Sequence, residues 1–419
     1  MPAKRILMIA YHFPPLAGSS GIQRTLRFVR YLPEFGWEPI VLTAHPRAYE
    51  RSSDDQLADI PDGVVVMRAP AFDTARHFAI AGRYPGFLAR PDRWVSWLPG
   101  AIWAGRKLIR QYRPQALWST YPIATAHLIG HALHRASGLP WIADFRDPMA
   151  HDGYPADPKT WAGFKRVEET AFKCAVFRTF TTPGAVRMYR ERYPEAPAER
   201  TVLIENGYDE DSFIGLEVGA AAKGALNPGK ITLLHSGIVY PIERDPTQLF
   251  RAMGILLKSG QLNSARFVLR LRATAYDDWL KGLAAEHGII GAVELAPPLP
   301  YREALEEMLR ADGLLVLQAA NCNDQIPAKI YEYLRVGRPI LGLTDPVGDT
   351  AEALRRAGVS CIAPLDDAEA IAAALTDFIA QIQAGSLLQS STEVVSAGSR
   401  RQRSADLAGL LDTAVGVHT

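Results

Sequence analysis

The chain has 419 residues, more than one ordinary domain needs, with 48% hydrophobic and 22% charged residues, the composition of a globular protein able to bury two cores. A formal net charge of +1 excludes a strong overall field for nucleic acid, and no apolar run reaches the roughly 18 residues that span a bilayer. Three widely spaced cysteines, Cys174, Cys322 and Cys361, exclude a disulfide framework or a thiolate zinc site.

From the N-terminus, only about six apolar residues follow Arg5, short of the roughly 7–15 of a signal-peptide core. Residues 6–10 therefore read as a buried strand, and the expected location is the cytoplasm. Short apolar runs then alternate with amphipathic stretches, the pattern of parallel sheets flanked by helices. Strands are expected over 5–10, 38–43, 64–68, 116–119, 141–144, 177–181 and 202–204. A helix starting near Gly21 puts Ile22, Leu26, Val29 and Leu32 on one face and ends at Phe35-Gly36. Two more cover 101–112 and 123–136. The stretch 72–113 carries eight Arg or Lys and two Asp, interleaved with Phe78, Tyr84, Phe87, Trp94, Trp97 and Trp103. It reads either as an insertion with its rings packed inward or as a basic, aromatic face for an anionic membrane or a lipid-linked acceptor.

A polar, Gly- and Ala-rich interval at 215–230 breaks the pattern and reads as a linker. Strands resume over 231–234, 266–271, 293–296, 314–317, 340–343 and 360–363. Runs such as Leu-Leu-Val-Leu imply burial on both faces of the sheet. The fold class expected is α/β, as two consecutive doubly wound domains with ligands beyond the carboxyl ends of the strands. Net charge divides between the halves, residues 1–205 holding +8 and residues 206–419 holding −7.

Four loops at such strand ends carry candidate chemistry. After the first strand, Gly18, Ser19, Ser20 and Gly21 expose backbone N–H groups beside a helix N-terminus, which favours anions and sugar hydroxyls; the bland alternative is a strand–helix connection with Ser20 as cap. At Asp144-Phe145-Arg146-Asp147-Pro148, Asp144 and Asp147 are expected to hold Arg146 toward a phosphate or a reacting sugar, against the alternative of a structural salt-bridge knot. In the second half, Ser236 and Gly237 end a strand and Arg244 precedes a helix that Asp245 would cap. Exposed amides plus a guanidinium make a diphosphate grip there. In Asp324-Gln-Ile-Pro-Ala-Lys329-Ile-Tyr-Glu332, a helix starting at Pro327 puts Lys329 and Glu332 three residues apart. Asp324 and Glu332 are expected to meet one ligand at its mouth; in isolation Lys329 and Glu332 would be a solvated surface pair.

Together YHFPPLAGSSGIQR, ADFRDP, the segment Glu205-Asn206-Gly207-Tyr208-Asp209, HSG followed by RDP, and IPAKIYEYLRVGRPIL resemble the retaining glycosyltransferases of family 4. The resemblance implies a GT-B fold, two Rossmann-like domains facing each other across a cleft. It divides the chain into an acceptor domain (1–215), a nucleotide-sugar domain (216–395) and a terminal helix (396–419) packing back on the first. The family's motif of two glutamates seven residues apart ends at Glu332, which would hold the ribose; its first position is Asp324, one methylene shorter. Donor binding would fall to Ser236, Gly237, Arg244, Asp324, Lys329 and Glu332, with Arg272 a candidate second cation. The catalytic set would be Arg244, Lys329, Asp324 and Arg146, the last standing where relatives carry a histidine. Gly18, Ser19, Ser20, Gly21, Arg24, Asp144 and Asp147 would form the acceptor and phosphate loop.

The activity implied is transfer of a hexose from a UDP- or GDP-sugar to a glycan or lipid-linked acceptor with retention of configuration. Cationic side chains would take the place of a divalent metal, no cofactor would be needed, and polysaccharide or glycolipid biosynthesis would be the setting. Peripheral contact with an anionic membrane, through 72–113, belongs to the same expectation. The alternatives are a nucleotide-sugar epimerase of the same fold and a catalytically silent scaffold.

Overall fold

A computed structural model describes residues 3–18, 21–151, 153–385 and 392–418. Ser19 and Ser20 thus lie outside the described residues. The chain forms two compact units, Met1–Asn206 with Arg400–Thr419, and Gly207–Ser399.

The first unit holds β1 (Lys4–Ile9), β2 (Trp37–Ala44), β3 (Val65–Ala69), β4 (Ala116–Thr120), β5 (Trp141–Arg146), β6 (Phe177–Phe180) and β7 (Thr201–Leu203). They form one sheet in the order β3-β2-β1-β4-β5-β6-β7, with every pairing parallel. The reversal of direction about β1 and β4 is the doubly wound arrangement. Alternate residues of β1 enter opposite layers, Leu7 and Ile9 with Trp97 and Leu133, Ile6 and Met8 with Trp118 and Leu26. The helix opening at Gly21 runs to Tyr31, tightens into a 3-10 turn over Leu32–Phe35, and stops at Gly36, whose φ of 81° is left-handed. The terminal helix Arg400–His418 belongs to this unit and buries Leu407, Leu411 and Ala414 against Trp118 and Trp37.

In the second unit β8 (Ile231–Ser236), β9 (Phe267–Arg272), β10 (Val293–Ala296), β11 (Gly313–Gln318), β12 (Ile340–Thr344) and β13 (Ile362–Ala363) follow the order β10-β9-β8-β11-β12-β13, again all parallel. All six residues of β11 are buried, as its unbroken apolar run requires.

The interval read as a linker is partly a helix, Leu216–Lys223, that buries Leu216 and Ala220 in the second core. Its alanines are good helix formers, which the Gly-rich surroundings obscure. Tyr208 and Phe213 join the same core, and Arg335 pairs with Glu210 and Glu217. These contacts place the boundary at Asn206/Gly207 rather than at 215/216.

Candidate donor and acceptor sites

Each unit is built separately from its own sheet. In the second unit, β8 runs into His235 and Ser236, and the helix Lys329–Val336 starts behind them. His235 is fully buried. Its Nδ1 lies 2.9 Å from the Leu315 carbonyl, which can only accept, so Nδ1 carries the proton. The other nitrogen, Nε2, is then a lone pair, and Lys329 Nζ donates to it at 3.0 Å. Burial, then the charge on Lys329, hold the histidine far below its usual pKa. Burial, then Arg244, push Lys329 well below the ordinary lysine range, with Glu332 opposing.

Arg244 points its guanidinium along the same turn. Its Nη1 donates to the Ile238 carbonyl at 2.9 Å, its charge sits 5.3 Å from the Tyr240 ring centroid, and its buried Nε has no partner among the described residues. Neither Arg244 nor Lys329 has a carboxylate within ion-pair distance among the described residues. Two cations at the carboxyl end of a parallel sheet, neither neutralised, are what a diphosphate requires. Glu332 lies one turn along from Lys329 and accepts a hydrogen bond from Tyr301 Oη at 2.7 Å. Asp324 lies in the loop between the 3-10 turn Ala320–Cys322 and this helix.

Three expectations are corrected here. The Ser236 and Gly237 amides are not free for phosphate. Ser236 N–H donates to Tyr333 Oη at 2.9 Å and Gly237 N–H to the Arg272 carbonyl at 2.9 Å. Gly237 matters instead for its φ of 122° and for space, since a Cβ there would stand 3.1 Å from Lys329 Nζ. Arg272 is no second phosphate cation, because Glu307 takes its Nε at 2.8 Å and an Nη as well. The helix after Arg244 opens at Thr247, one residue later than a cap at Asp245 implies, although Asp245 Oδ1 does accept the Thr247 N–H at 2.9 Å. His235 was not singled out in the sequence; the only signal was its place at a strand end before a glycine.

In the first unit, Arg24 and Asp144 find each other across 120 residues. The Nε and Nη2 of Arg24 donate to the two carboxylate oxygens at 3.0 and 2.8 Å, and Thr120 and Thr179 add hydroxyl donors at 2.8 and 2.7 Å. Burial pushes the carboxyl up, but Arg24 and the two threonines outweigh it and hold it below the usual range. Arg24 also donates to the Glu205 and Ile204 carbonyls. Both residues therefore brace the sheet, and the expectation that Asp144 holds Arg146, or that either offers itself to a ligand, is corrected. Gly18 has a φ of 78° and open space where a side chain would be, and Gly21 is buried as the first helical residue. Arg146 ends β5 at an irregularity in the ladder and has a φ of 62°. Asp147 Oδ1 accepts the Thr181 hydroxyl at 3.2 Å. His12, unremarked in the sequence, sits in the loop after β1. Burial, then the charge on Arg146, lower its pKa to about 4.

Among the described residues no three His, Cys, Asp or Glu side chains converge to hold a metal ion. No helix among them is long and apolar enough to cross a membrane.

Residues 20–207 match the model of the glycosyl transferase 4-like domain. The match falls almost wholly within the first unit and spans less than half of the chain. Solved structures similar over the whole chain share the two-domain GT-B fold. Sucrose-phosphate synthase from Thermosynechococcus elongatus has a TM-score of 0.67 at 16% identity, covering 98% of each chain. Anabaena HepE, solved with UDP and glucose, has 0.65 at 12%, covering 98% of this chain and 100% of that one. WaaG, a glycosyltransferase involved in lipopolysaccharide biosynthesis, has 0.59 at 13%, covering 99% of each. No curated protein sequence matches the chain. Over the whole chain the likeness is one of fold, the GT-B architecture, and within residues 20–207 it extends to the glycosyl transferase 4-like model.

Proposed function

We propose that the chain transfers a hexose from a UDP- or GDP-sugar to a glycan or lipid-linked acceptor, with retention of configuration and without a divalent metal, in polysaccharide or glycolipid biosynthesis. The observation that carries this reading is the pair Lys329 and Arg244, two half-buried cations without carboxylate partners at the carboxyl end of the second sheet. Charge developing on the leaving diphosphate would be met by a guanidinium and by the Lys329 amine, protonated beside the diphosphate, both already fixed in place, which is electrostatic preorganisation. Glu332, on the next turn from Lys329, is suited to accept ribose hydroxyls, and Asp324 to reach the donor hexose. The HepE structures, which hold UDP, UDP with glucose, or UDP-glucose, support a uridine donor.

The same reading gives residues 72–113 a membrane role, with the protein cytoplasmic and peripheral on an anionic leaflet. Both of the segment's acids are internal. Asp73 caps a short helix and pairs with Arg93, and Asp92 accepts from Thr125. What faces outward is cationic and apolar, with Ile80 84%, Phe87 71% and Trp103 66% exposed, while Trp97 is fully buried. The aromatics thus divide between packing and surface, and the surface set suits an anionic bilayer.

The test is a thermal-shift panel of UDP-, GDP- and ADP-sugars, followed by NMR of the product's anomeric configuration. A donor that stabilises the wild type by mass action and yields a product of inverted configuration would remove retention; no shift with any sugar nucleotide would remove the reading.

A further inference from the structure

Among the described residues Arg146, in the first unit, has no carboxylate within ion-pair distance, and its setting differs from that of the arginines around it. Arg146 stands at the carboxyl end of β5, where the pairing with β6 slips between Asp144 and Arg146. Its left-handed φ of 62° is uncommon for a side chain with a Cβ and is strained. The conformation is held from outside: the Arg146 carbonyl accepts both the N–H and the hydroxyl of Thr181, at 2.8 and 2.9 Å. The result is a side chain aimed by the fold rather than by its own preferences.

Among the described residues the guanidinium makes one hydrogen bond, from Nη1 to the Tyr121 carbonyl at 3.3 Å, and its buried Nε has no partner. The nearby acids do not serve it. Asp144 is occupied by Arg24, Thr120 and Thr179, and Asp147 lies beyond ion-pair distance while accepting from Thr181. Arg24, on the helix Gly21–Tyr31 of the same unit, shows the satisfied alternative, with two carboxylate oxygens and two carbonyls. Arg178 shows another. It too lacks a carboxylate, yet it donates to Ala175, Pro197 and Thr201 and lies 4.8 Å from the Phe172 ring centroid. Arg146 has neither arrangement. A desolvated charge that is neither paired nor saturated with hydrogen bonds is expensive, and the fold keeps it beside a second basic side chain, His12.

We infer that Arg146 is the anchor for an oxyanion carried by the acceptor, a phosphate or a carboxylate on the sugar that receives the hexose. This rests on the reading of the chain as a glycosyltransferase whose donor diphosphate is held by Arg244 and Lys329 of the second unit. The free Nε and the second amino group form one side of the planar fork that matches two oxygens of such a group. His12, kept neutral by its surroundings, can donate or accept without adding a charge for the anion to neutralise.

The experiment uses the full chain and equilibrium binding by calorimetry, without turnover. Glucose, glucose 6-phosphate, glucuronate, inorganic phosphate and UDP are each titrated into the wild type, Arg146→Met, Arg146→Lys and Lys329→Met. At least one of glucose 6-phosphate and glucuronate should bind the wild type more tightly than glucose, and which of them does so identifies the oxyanion. Arg146→Met should lose roughly 10- to 100-fold of that affinity while keeping UDP binding, and Arg146→Lys should restore part of it. Lys329→Met should show the reverse pattern. The inference is overturned if glucose binds as well as both anionic sugars, or if a folded Arg146→Met binds them like the wild type. It is also overturned if Arg146→Met loses UDP binding in parallel, which would assign the arginine to the donor. Failure of the underlying reading is separate, being absence of UDP binding by the wild type itself.

Discussion

Replacing Lys329 by methionine separates the stability of the second unit from its capacity for a diphosphate. In the free protein the lysine gives one N–H to His235 Nε2 and stands without a carboxylate partner. The rest of the amine, protonated beside a diphosphate, is what a phosphate oxygen would use. Charge-assisted hydrogen bonds contribute about 1.5–3 kcal/mol net, so losing one to a diphosphate should weaken UDP binding about 10- to 150-fold. Two effects on folding oppose each other. Methionine removes an amine whose charged form burial disfavours, but it also orphans the buried His235 acceptor, a cost of about 1–3 kcal/mol. The melting temperature should therefore move by only a few degrees. A second signature follows from linkage. Lys329 is shifted down in the free protein and would regain its proton beside a diphosphate, so wild-type affinity should fall as pH rises between the free and bound pKa values, by up to tenfold per unit. The charged and titratable groups facing it are Arg244, Glu332, His235 and Tyr333; burial keeps the histidine neutral and raises the tyrosine, so neither of those two adds a slope between about pH 7 and 8.5. Calorimetry of UDP over that range, on both proteins, is the assay. Binding by Lys329→Met within twofold of wild type, or a pH slope that survives the substitution, would refute the reasoning.

Glu332→Gln should leave the melting temperature nearly unchanged, since the carboxylate's partner Tyr301 is itself partly exposed, and should lower sugar-nucleotide affinity roughly tenfold by calorimetry. Gly237→Ala combines a φ of 122° with a Cβ 3.1 Å from Lys329 Nζ; stability should fall by about 1–3 kcal/mol in urea titrations, with UDP affinity falling as well. His12 and His127 have folded-state pKa values lowered to about 4, so the unfolded chain binds their protons first. Stability from these groups is intact above about pH 6.5 and declines as pH falls toward 4, by about 1.4 kcal/mol per unit for each, or about 3 kcal/mol in all for His127; denaturant midpoints against pH would show it. Wild-type protein should float with anionic vesicles at low salt and release at high salt, and Phe87→Asp together with Trp103→Asp should abolish flotation without lowering the melting temperature.

The sheets were legible because a strand announces itself locally. Runs such as Leu-Leu-Val-Leu, punctuated by Gly, Pro and Asp, placed each of the thirteen strands within a few residues of its observed position. The helix Leu216–Lys223 was hidden for the same local reason, its alanines lying between glycines in a stretch whose burial is decided by Phe213 and Leu305 elsewhere in the core. Chemistry at the sites was less legible, because charge pairing is not local. Arg24 and Asp144 both looked available until the fold brought them together, and Ser236 and Gly237 looked like open amides until Tyr333 and the Arg272 carbonyl took their protons. Sequence motifs name residues that reach a site; they do not say which have already been used. The informative remainder is what the fold desolvates and then leaves without a counter-ion. By that criterion the charged residues singled out in the sequence reduce to Arg244 and Lys329 in one unit and Arg146 in the other, while Arg24, Arg272 and Asp144 pass into the scaffold; Arg178, also without a carboxylate, is held by three oxygens of its own unit. On the proposed function, a sugar nucleotide would bring a diphosphate for the first pair. The isolated guanidinium of Arg146 calls for an anion of its own, and that requirement falls on the acceptor.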